Sequence, residues 1–171
     1  RGLGDVYKRQ PLGGVIANKK ISDVFDDNKM YCGLTYSAHP MGCAVAIAAI
    51  DAYKEDKVFE NVLKVGKVLG EGLEALKAKH ACVGDVRYIG LFSIVEFVKD
   101  KATREPIVPF GKDPEGIMPK ILGMLRAEGF YTYAHENMIH VSPPLIITEQ
   151  EMKEALQMLD KVMDSIDNMI K

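Results

Sequence analysis

Residues 58–79 read VFENVLKVGKVLGEGLEALKAK, and this stretch decides the fold class of the chain around it. Its apolar side chains advance in steps of 4, 3, 4, 4 and 3, the spacing of one face of an α-helix. They are Val58, Val62, Val65, Leu69, Leu73 and Leu76. Gly66, Gly70 and Gly72 each weaken an isolated helix by up to about 1 kcal/mol relative to alanine. Packing against other elements must therefore hold this helix together.

Strand-forming and helix-forming stretches alternate after this helix. Residues 83–98 are rich in β-branched and aromatic side chains and predict strand structure, apolar on both faces, around Gly90. A helix marked by an apolar residue every fourth position follows at residues 117–125 and ends near Gly129. Residues 131–133 and 138–141 then predict a pair of strands. The order of elements predicts a mixed α/β fold.

The last helix has the clearest start. Thr148 and Glu151 have the spacing of a capping box, in which each side chain accepts a hydrogen bond from the other residue's backbone N–H. The apolar positions of the helix advance in steps of 4, 3, 4, 3 and 4. They are Met152, Leu156, Leu159, Met163, Ile166 and Ile170. We predict an amphipathic helix that packs on a sheet.

The pattern before residue 58 is less regular. Residues 15–17 predict a short strand, and residues 21–25 a helical turn. Pro40 suits the first turn of a helix, and residues 41–53 are apolar nearly all round. A helix of that kind is expected to be buried on more than one side.

Composition limits the functions that the chain can perform. It has 171 residues, 47% of them hydrophobic, which is enough for a buried core. Its net charge of −2 excludes nucleic-acid binding by phosphate neutralisation, so no nucleic acid is expected as a partner. No apolar run approaches the roughly 20 residues that span a bilayer, so no membrane is expected either. Three widely spaced cysteines predict small buried side chains in a reducing, cytoplasmic compartment.

Several residue groups that suggest chemistry have simpler explanations. His39 and Cys43 lie four residues apart, but two ligands do not make a metal site. His80 and Cys82 have no obvious complement in the sequence, and the carboxylates of the last helix are taken as solvated charges. We therefore expect no metal.

Residues 1–10, RGLGDVYKRQ, do not continue the pattern that begins at Pro11. They are polar, basic and aperiodic, and residues 5–10 look like the translation of a sequencing adapter. We interpret residues 1–10 as a non-native segment, the alternative being a genuine basic arm. Lys8 lies inside it and is rejected as a covalent nucleophile for that reason.

Residues 34–40, LTYSAHP, carry a threonine and a serine hydroxyl shortly before the predicted start of a helix at Pro40. Backbone N–H groups and a hydroxyl at such a junction can bind an anion, and the helix dipole favours negative charge there. The alternative is that the hydroxyl side chains only cap the helix.

The chain resembles the class III pyridoxal-phosphate (PLP) aminotransferases, and in particular the branch that uses ω-amino acids, with taurine–pyruvate-like enzymes. The resemblance rests on five segments in order, from about residue 11 to residue 166. They are residues 11–16 (PLGGVI), 34–40 (LTYSAHP), 83–87 (VGDVR), 90–92 (GLF) and 142–148 (SPPLIIT).

That resemblance implies a C-terminal fragment of a fold type I PLP-dependent transferase. Residues 11–53 would be the end of the large PLP-binding domain, and residues 54–171 a small C-terminal α/β domain. By the same resemblance Thr35, with its neighbour Leu34, would bind the cofactor phosphate, and PLP would be the cofactor. The family's homodimers build each active site from both subunits, so a homodimer is expected.

The chain departs from the family at two places. The family's Schiff-base lysine would fall at Leu3, in the segment taken as non-native, so no catalytic residue is assigned and the fragment is expected to be inactive. Many relatives also hold a substrate carboxylate with an arginine just before the Pro-Pro segment. Residues 131–137 contain no arginine, and Tyr133 or His135 lies in that neighbourhood instead. His135 is slightly favoured as the substrate residue, because it can become cationic near neutral pH. The alternative is that both only pack under the turn at residues 143–144.

The expected function of the parent protein is transfer of an amino group from an ω-amino acid, a taurine-like donor or a related amine to a 2-oxo acid. Two alternatives remain from the sequence. One is a non-catalytic α/β module for binding or dimerisation, and the other is a PLP decarboxylase or racemase of the same fold.

Overall fold

The computed structural model describes residues 13–170, and the chain divides into two compact units between Asp56 and Lys57. The first contains three helices, α1 (Lys19–Ser22), α2 (Val24–Asp27) and α3 (Pro40–Glu55). The helical turn near residue 21 and the helix starting at Pro40 are confirmed. The assignment of the end of a large domain to this part of the chain stays a prediction.

Two expectations about the first unit are wrong. Residues 15–17 form no strand, because no strand for them to pair with exists among residues 13–56. No residue of α3 is buried, and apolar side chains such as Met41 and Ile47 are exposed. Residues 13–56 supply no second apolar layer that could cover a helix of this composition.

The second unit is built on an antiparallel sheet. Its helices are α4 (Val58–Lys79), α5 (Ile117–Ala127) and α6 (Glu149–Met169). Its strands are β1 (Val83–Ile89), β2 (Phe92–Asp100), β3 (Glu105–Pro106), β4 (Ala134–His135) and β5 (Met138–Val141). The strand order is β1-β2-β5-β4, with β3 paired to β2.

The predicted strand structure at residues 83–98 is a hairpin of two strands. Ile89 pairs with Phe92, and Gly90 in the turn between them has a φ of +56°, a conformation that glycine adopts without strain. A strand at residues 131–133 is wrong, since β4 begins at Ala134 and turns into β5 after His135. The amide of Asn137 in that turn donates to the Phe97 carbonyl at 2.9 Å, which attaches the turn to β2.

Both long helices of the second unit contribute to one core with the sheet. Buried side chains come from α4, the strands and α6 in the positions that periodicity predicts. They include Leu69, Leu73, Val95, Phe97, Ile139, Met152, Leu159 and Ile166. The helix marked at residues 117–125 is confirmed as α5 and contacts α6. No helix in the described part of the chain combines the length and apolar character that a membrane span requires.

The capping box of α6 is confirmed. The Glu151 N–H donates to the Thr148 hydroxyl at 3.2 Å, and the Thr148 N–H donates to the Glu151 carboxylate at 2.8 Å. The hydrogen bond from the Thr148 N–H is the first cause that holds the pKa of Glu151 below its ordinary value. The start of α6 is thus fixed by its own sequence.

Candidate functional site

The turn before α3 is held by its own hydrogen bonds. The Ser37 N–H donates to the Leu34 carbonyl at 3.0 Å, and the Leu34 N–H donates to the Ser37 hydroxyl at 3.3 Å. Ala38 has a φ of +55° and turns the chain into the helix. The Ser37 hydroxyl is therefore used inside the turn.

The amino terminus of α3 has no side-chain cap. His39 occupies the N-cap position without a capping hydrogen bond, and Pro40 follows as the first helical residue. Neither Thr35 nor Ser37 caps the helix, so the simple capping interpretation is wrong. Thr35 is exposed, and its hydroxyl forms no hydrogen bond to another residue of the described chain. The free N–H groups at the positive end of α3 are suited to bind a phosphate, and the Thr35 hydroxyl in the preceding turn is a further free donor.

Tyr133 and His135 lie on the face of the sheet that points away from the helices, which we call the outer face. Ala134 between them packs against the core, and side chains alternate along a strand. Tyr133 directly precedes β4 and His135 ends it, with Ala134 between them. Tyr133 is 64% exposed and His135 is also exposed, so neither is buried under the turn at residues 143–144.

Aromatic rings continue from Tyr133 across the outer face. The His140 ring lies 5.4 Å from the Tyr133 ring and 6.2 Å from the Phe92 ring, measured between centroids. The Thr132 hydroxyl donates to the His140 carbonyl, and the His140 N–H donates to the Tyr133 carbonyl at 3.0 Å. These contacts fix the backbone at Tyr133, while its phenol remains accessible.

An arginine that sequence reasoning missed lies at the other end of the outer face. Arg87 contacts the Asp85 carboxylate at 2.8 Å and the Glu96 carboxylate at 2.9 Å. The Lys77 ammonium, 2.8 Å away, is the first cause that holds the pKa of Asp85 below its ordinary value. Because Arg87 is already paired with two carboxylates, it is a weaker candidate for an acidic substrate than an unpaired arginine would be.

A second group that the sequence did not reveal surrounds His80. The His80 side chain is only 1% exposed, and its two ring nitrogens contact Asp160 at 2.7 Å and Asp167 at 2.9 Å. The expectations that His80 lacks a complement, and that the α6 carboxylates are merely solvated, are therefore wrong for these residues. A signal was present in the sequence, because Asp160, Asp164 and Asp167 share one face of a helix at spacings of four and three.

The His80 group is an ion-pair network in this structure. Among residues 13–170, His80, Asp164 and Asp167 are the one set of potential ligand atoms close enough to share a metal ion. The Lys79 ammonium lies 2.6 Å from Asp160 and 3.6 Å from Asp164, and His80 is in contact with Asp167. These carboxylates already have Lys79 and His80 as partners, which a metal ion would have to displace.

The cysteines differ in their surroundings. Cys82 is fully buried beside this network, and burial is the main cause that raises the pKa of its thiol above the ordinary value. Cys43 is half-buried, and Cys32 is exposed, so the expectation of buried cysteines fails for Cys32. No cysteine of the described residues pairs with another.

Comparison with known proteins gives a family match over most of the chain. A family model described as "Aminotransferase class-III" matches residues 10–163. The ethanolamine-phosphate phospho-lyase homolog 1 of Caenorhabditis elegans is 31% identical over 90% of this chain and 32% of its own length. A probable gamma-aminobutyrate transaminase 4 of Oryza sativa subsp. japonica is 31% identical over 99% of this chain and 35% of its own length.

A solved structure gives a similar match. The taurine:2-oxoglutarate aminotransferase of Bifidobacterium kashiwanohense, in complex with PLP and glutamate, is 43% identical and superposes with a TM-score of 0.79. The match covers 88% of this chain and 33% of that one. The chain thus spans about a third of the length of the relatives that it matches.

Proposed function

Since the chain belongs to the class-III aminotransferase family, we propose that it is part of a PLP-dependent transaminase. The proposed reaction moves an amino group from an ω-amino acid, a taurine-like donor or a related amine to a 2-oxo acid. The observation that carries the proposal is the uncapped start of α3, which the free Thr35 hydroxyl precedes by a few residues in the chain. The named substrates of the Oryza and Bifidobacterium relatives support the donor class.

The residues at this turn fit the phosphate end of PLP. The Thr35 hydroxyl can donate to a phosphate oxygen, the first-turn N–H groups of α3 can donate to others, and the helix dipole stabilises the negative charge. Leu34 holds the turn through its backbone bonds to Ser37. When bound, PLP supplies the electron sink for moving the amino group. In the family the phosphate belongs to the neighbouring subunit, so the proposal includes a homodimer.

Replacing Thr35 with alanine tests the phosphate contact. The loss of a hydrogen bond to a charged group costs about 1.5–3 kcal/mol, which weakens PLP affinity about tenfold to a hundredfold. The measurement is a PLP titration of a chimera in which residues 11–171 replace the matching third of the Bifidobacterium enzyme.

Ser22→Ala is the matched control for that titration. Its hydroxyl lies in the same unit and donates to the Lys19 carbonyl at 3.0 Å within α1. We expect its PLP affinity to equal that of the unmodified chimera. Equal affinities for the Thr35 and Ser22 variants would remove Thr35 from the proposed phosphate site.

His135 and Tyr133 are the proposed contacts for the acidic group of the donor. A protonated His135 can donate to a carboxylate or sulfonate, and a charged donor offsets more of the anion's desolvation than the Tyr133 phenol does. His135→Ala in the chimera is expected to raise KM for an ω-amino acid or sulfonate donor about tenfold, and KM for an uncharged amine much less. Tyr133→Phe keeps the aromatic ring and removes only the hydroxyl, so its effect on KM measures the contribution of the hydroxyl separately. Equal increases for both donor classes would leave His135 with a packing role.

The 171-residue chain alone is proposed to have no transaminase activity. The lysine that the family uses would fall at Leu3, and Lys8 is out of register by the same resemblance. Purified chain with PLP, an amine donor and pyruvate or 2-oxoglutarate should give no more turnover than PLP alone. The chimera serves as the positive control. Turnover above free PLP would show that another residue replaces that lysine.

A lyase is the second candidate, because the Caenorhabditis relative is named a phospho-lyase homolog. A lyase needs no 2-oxo acid acceptor, whereas a transaminase does. Product formation by the chimera without an acceptor would therefore favour the lyase.

A further inference from the structure

His80 joins three elements at one point. It is the C-cap residue of α4, it lies two residues before Cys82, which directly precedes β1, and it contacts two aspartates of α6. Asp167 also accepts a hydrogen bond from the Cys82 N–H at 2.7 Å. One aspartate thus holds both the ring of His80 and the entry to β1.

The geometry specifies the protonation of the ring. Each ring nitrogen faces a carboxylate oxygen, and a carboxylate in its ionised form only accepts hydrogen bonds. Both contacts are hydrogen bonds only when both ring nitrogens carry a proton. In the neutral ring one nitrogen would present a lone pair to a carboxylate oxygen less than 3 Å away, inside a buried site.

The carboxyl-terminal half of α6 depends on these cations. Asp160, Asp164 and Asp167 lie on one helix face, where like charges repel, and α6 has no basic residue in its last turn. Negative charge near a helix C-terminus is also unfavourable to the helix dipole. Lys79 is half exposed, whereas His80 is buried, so His80 supplies the cation that is least screened by solvent.

We propose that His80 is a proton-dependent latch, whose doubly protonated ring fastens the carboxyl-terminal turns of α6 to the junction of α4 and β1. Loss of one proton from the ring to solvent weakens that attachment. The charged and titratable groups around the ring are Lys79 from α4, Cys82, and Asp160, Asp164 and Asp167 from α6. Lys101, after β2, acts on the neighbouring Cys82.

The protonation state can be observed directly by nitrogen NMR of the 171-residue chain labelled at histidine. Both His80 ring nitrogens are expected to carry protons in the folded chain, because each faces a carboxylate oxygen that only accepts. As the pH rises and one proton leaves, amides of residues 160–169 should lose hydrogen-exchange protection, while those next to the capping box at Thr148 keep theirs. A bare ring nitrogen at about pH 6 would overturn the proposal.

A pair of variants isolates the latch. At about pH 6, His80→Gln should reduce the protection factors of residues 160–169 about tenfold to a hundredfold and remove their dependence on histidine protonation. Lys79→Gln removes the half-exposed cation beside the same aspartates and should have a much smaller effect. The hydrogen-exchange protection of residues 160–169 should change with pH more in the unmodified chain than in His80→Gln. An equal change in both proteins would contradict the latch. That comparison needs no PLP, so it is independent of the proposed transaminase activity.

Discussion

Replacing Gly66 with alanine is expected to lower the free energy of unfolding of the second unit by about 3 kcal/mol. A Cβ at this position of α4 would lie 2.8 Å from the carbonyl carbon and oxygen of Gly90 in the β1–β2 turn. These are backbone atoms, so no side-chain rotation can relieve the clash. The turn cannot move easily either, because Gly90 has a positive φ and lies against Val62.

Gly123→Ala is the matched control for that substitution. Gly123 lies in α5, and a Cβ there would meet no atom within 4 Å. Without a clash, alanine should stabilise the helix by up to about 1 kcal/mol through its higher helix propensity. Urea unfolding of the 171-residue chain measures both variants. If Gly66→Ala and Gly123→Ala change the free energy of unfolding in the same direction, helix propensity determines the effect of both substitutions. The close approach of α4 to the β1–β2 turn would then not determine the effect at Gly66.

The sequence predicted that packing holds the glycine-rich helix, but not which glycine the packing requires. A Cβ at Gly72 would meet the Leu156 side chain, and one at Gly70 would meet the partly exposed Tyr88 ring. Side chains can rotate away, whereas the backbone at Gly90 cannot. Gly66 tolerates a Cβ less well than Gly70 or Gly72 because of a turn more than 20 residues away in the sequence. Helical periodicity gives no information about that turn.

Local patterns predicted the elements whose determinants are local. The apolar periodicity of α4 and α6 and the capping box at Thr148 each lie within one segment, and all were confirmed. The strand at residues 15–17 was wrong, because a strand exists only where another strand pairs with it. The prediction that α3 is buried was wrong for a related reason, since the burial of a helix depends on which other elements cover it.

The turn at residues 34–40 and the group around His80 also differ in whether their partners are local in sequence. Residues 34–40 were identified from the sequence as a possible anion site, and the structure adds that Ser37 is used within the turn while Thr35 is free. His80 was dismissed, because its partners Asp160 and Asp167 are 80 and 87 residues away. Only the packing of α6 against α4 brings them together. The outer-face pairing of Arg87 with Glu96 likewise required the register of β1 on β2.

Removing the carboxylate of Asp167 should lower the free energy of unfolding of the second unit by about 3 kcal/mol near neutral pH. Asp167→Ala would leave the Cys82 N–H without its acceptor and one nitrogen of the buried His80 without its partner. Asp167 is 18% exposed, so water compensates only part of this loss. Removing one partner of a buried hydrogen bond is costly, because the group left behind stays buried without its partner.

The effect of Asp167→Ala should disappear in acid, and the sign follows from the pKa of Asp167. Burial alone would raise that pKa, but hydrogen bonds from the Cys82 N–H and the His80 ring hold it below its ordinary value. A carboxylate with a depressed pKa contributes its full stabilisation above the unfolded value of about 3.9. The contribution is lost as the pH falls through the lower, folded value. The difference in unfolding free energy between the unmodified chain and Asp167→Ala should therefore narrow in that range.

Asp164→Ala is the control that separates the network from the charge of the helix. Asp164 lies one turn from Asp167 on the same face of α6, but it is 61% exposed and 3.8 Å from the His80 ring. An exposed pair of this kind contributes at most about 1 kcal/mol, and alanine's helix propensity offsets part of that. Urea unfolding of both variants near neutral pH and in acid gives the comparison. If Asp164→Ala and Asp167→Ala cost the same, the carboxylates act through their charge on the helix, and the buried bonds to His80 and Cys82 contribute nothing of their own.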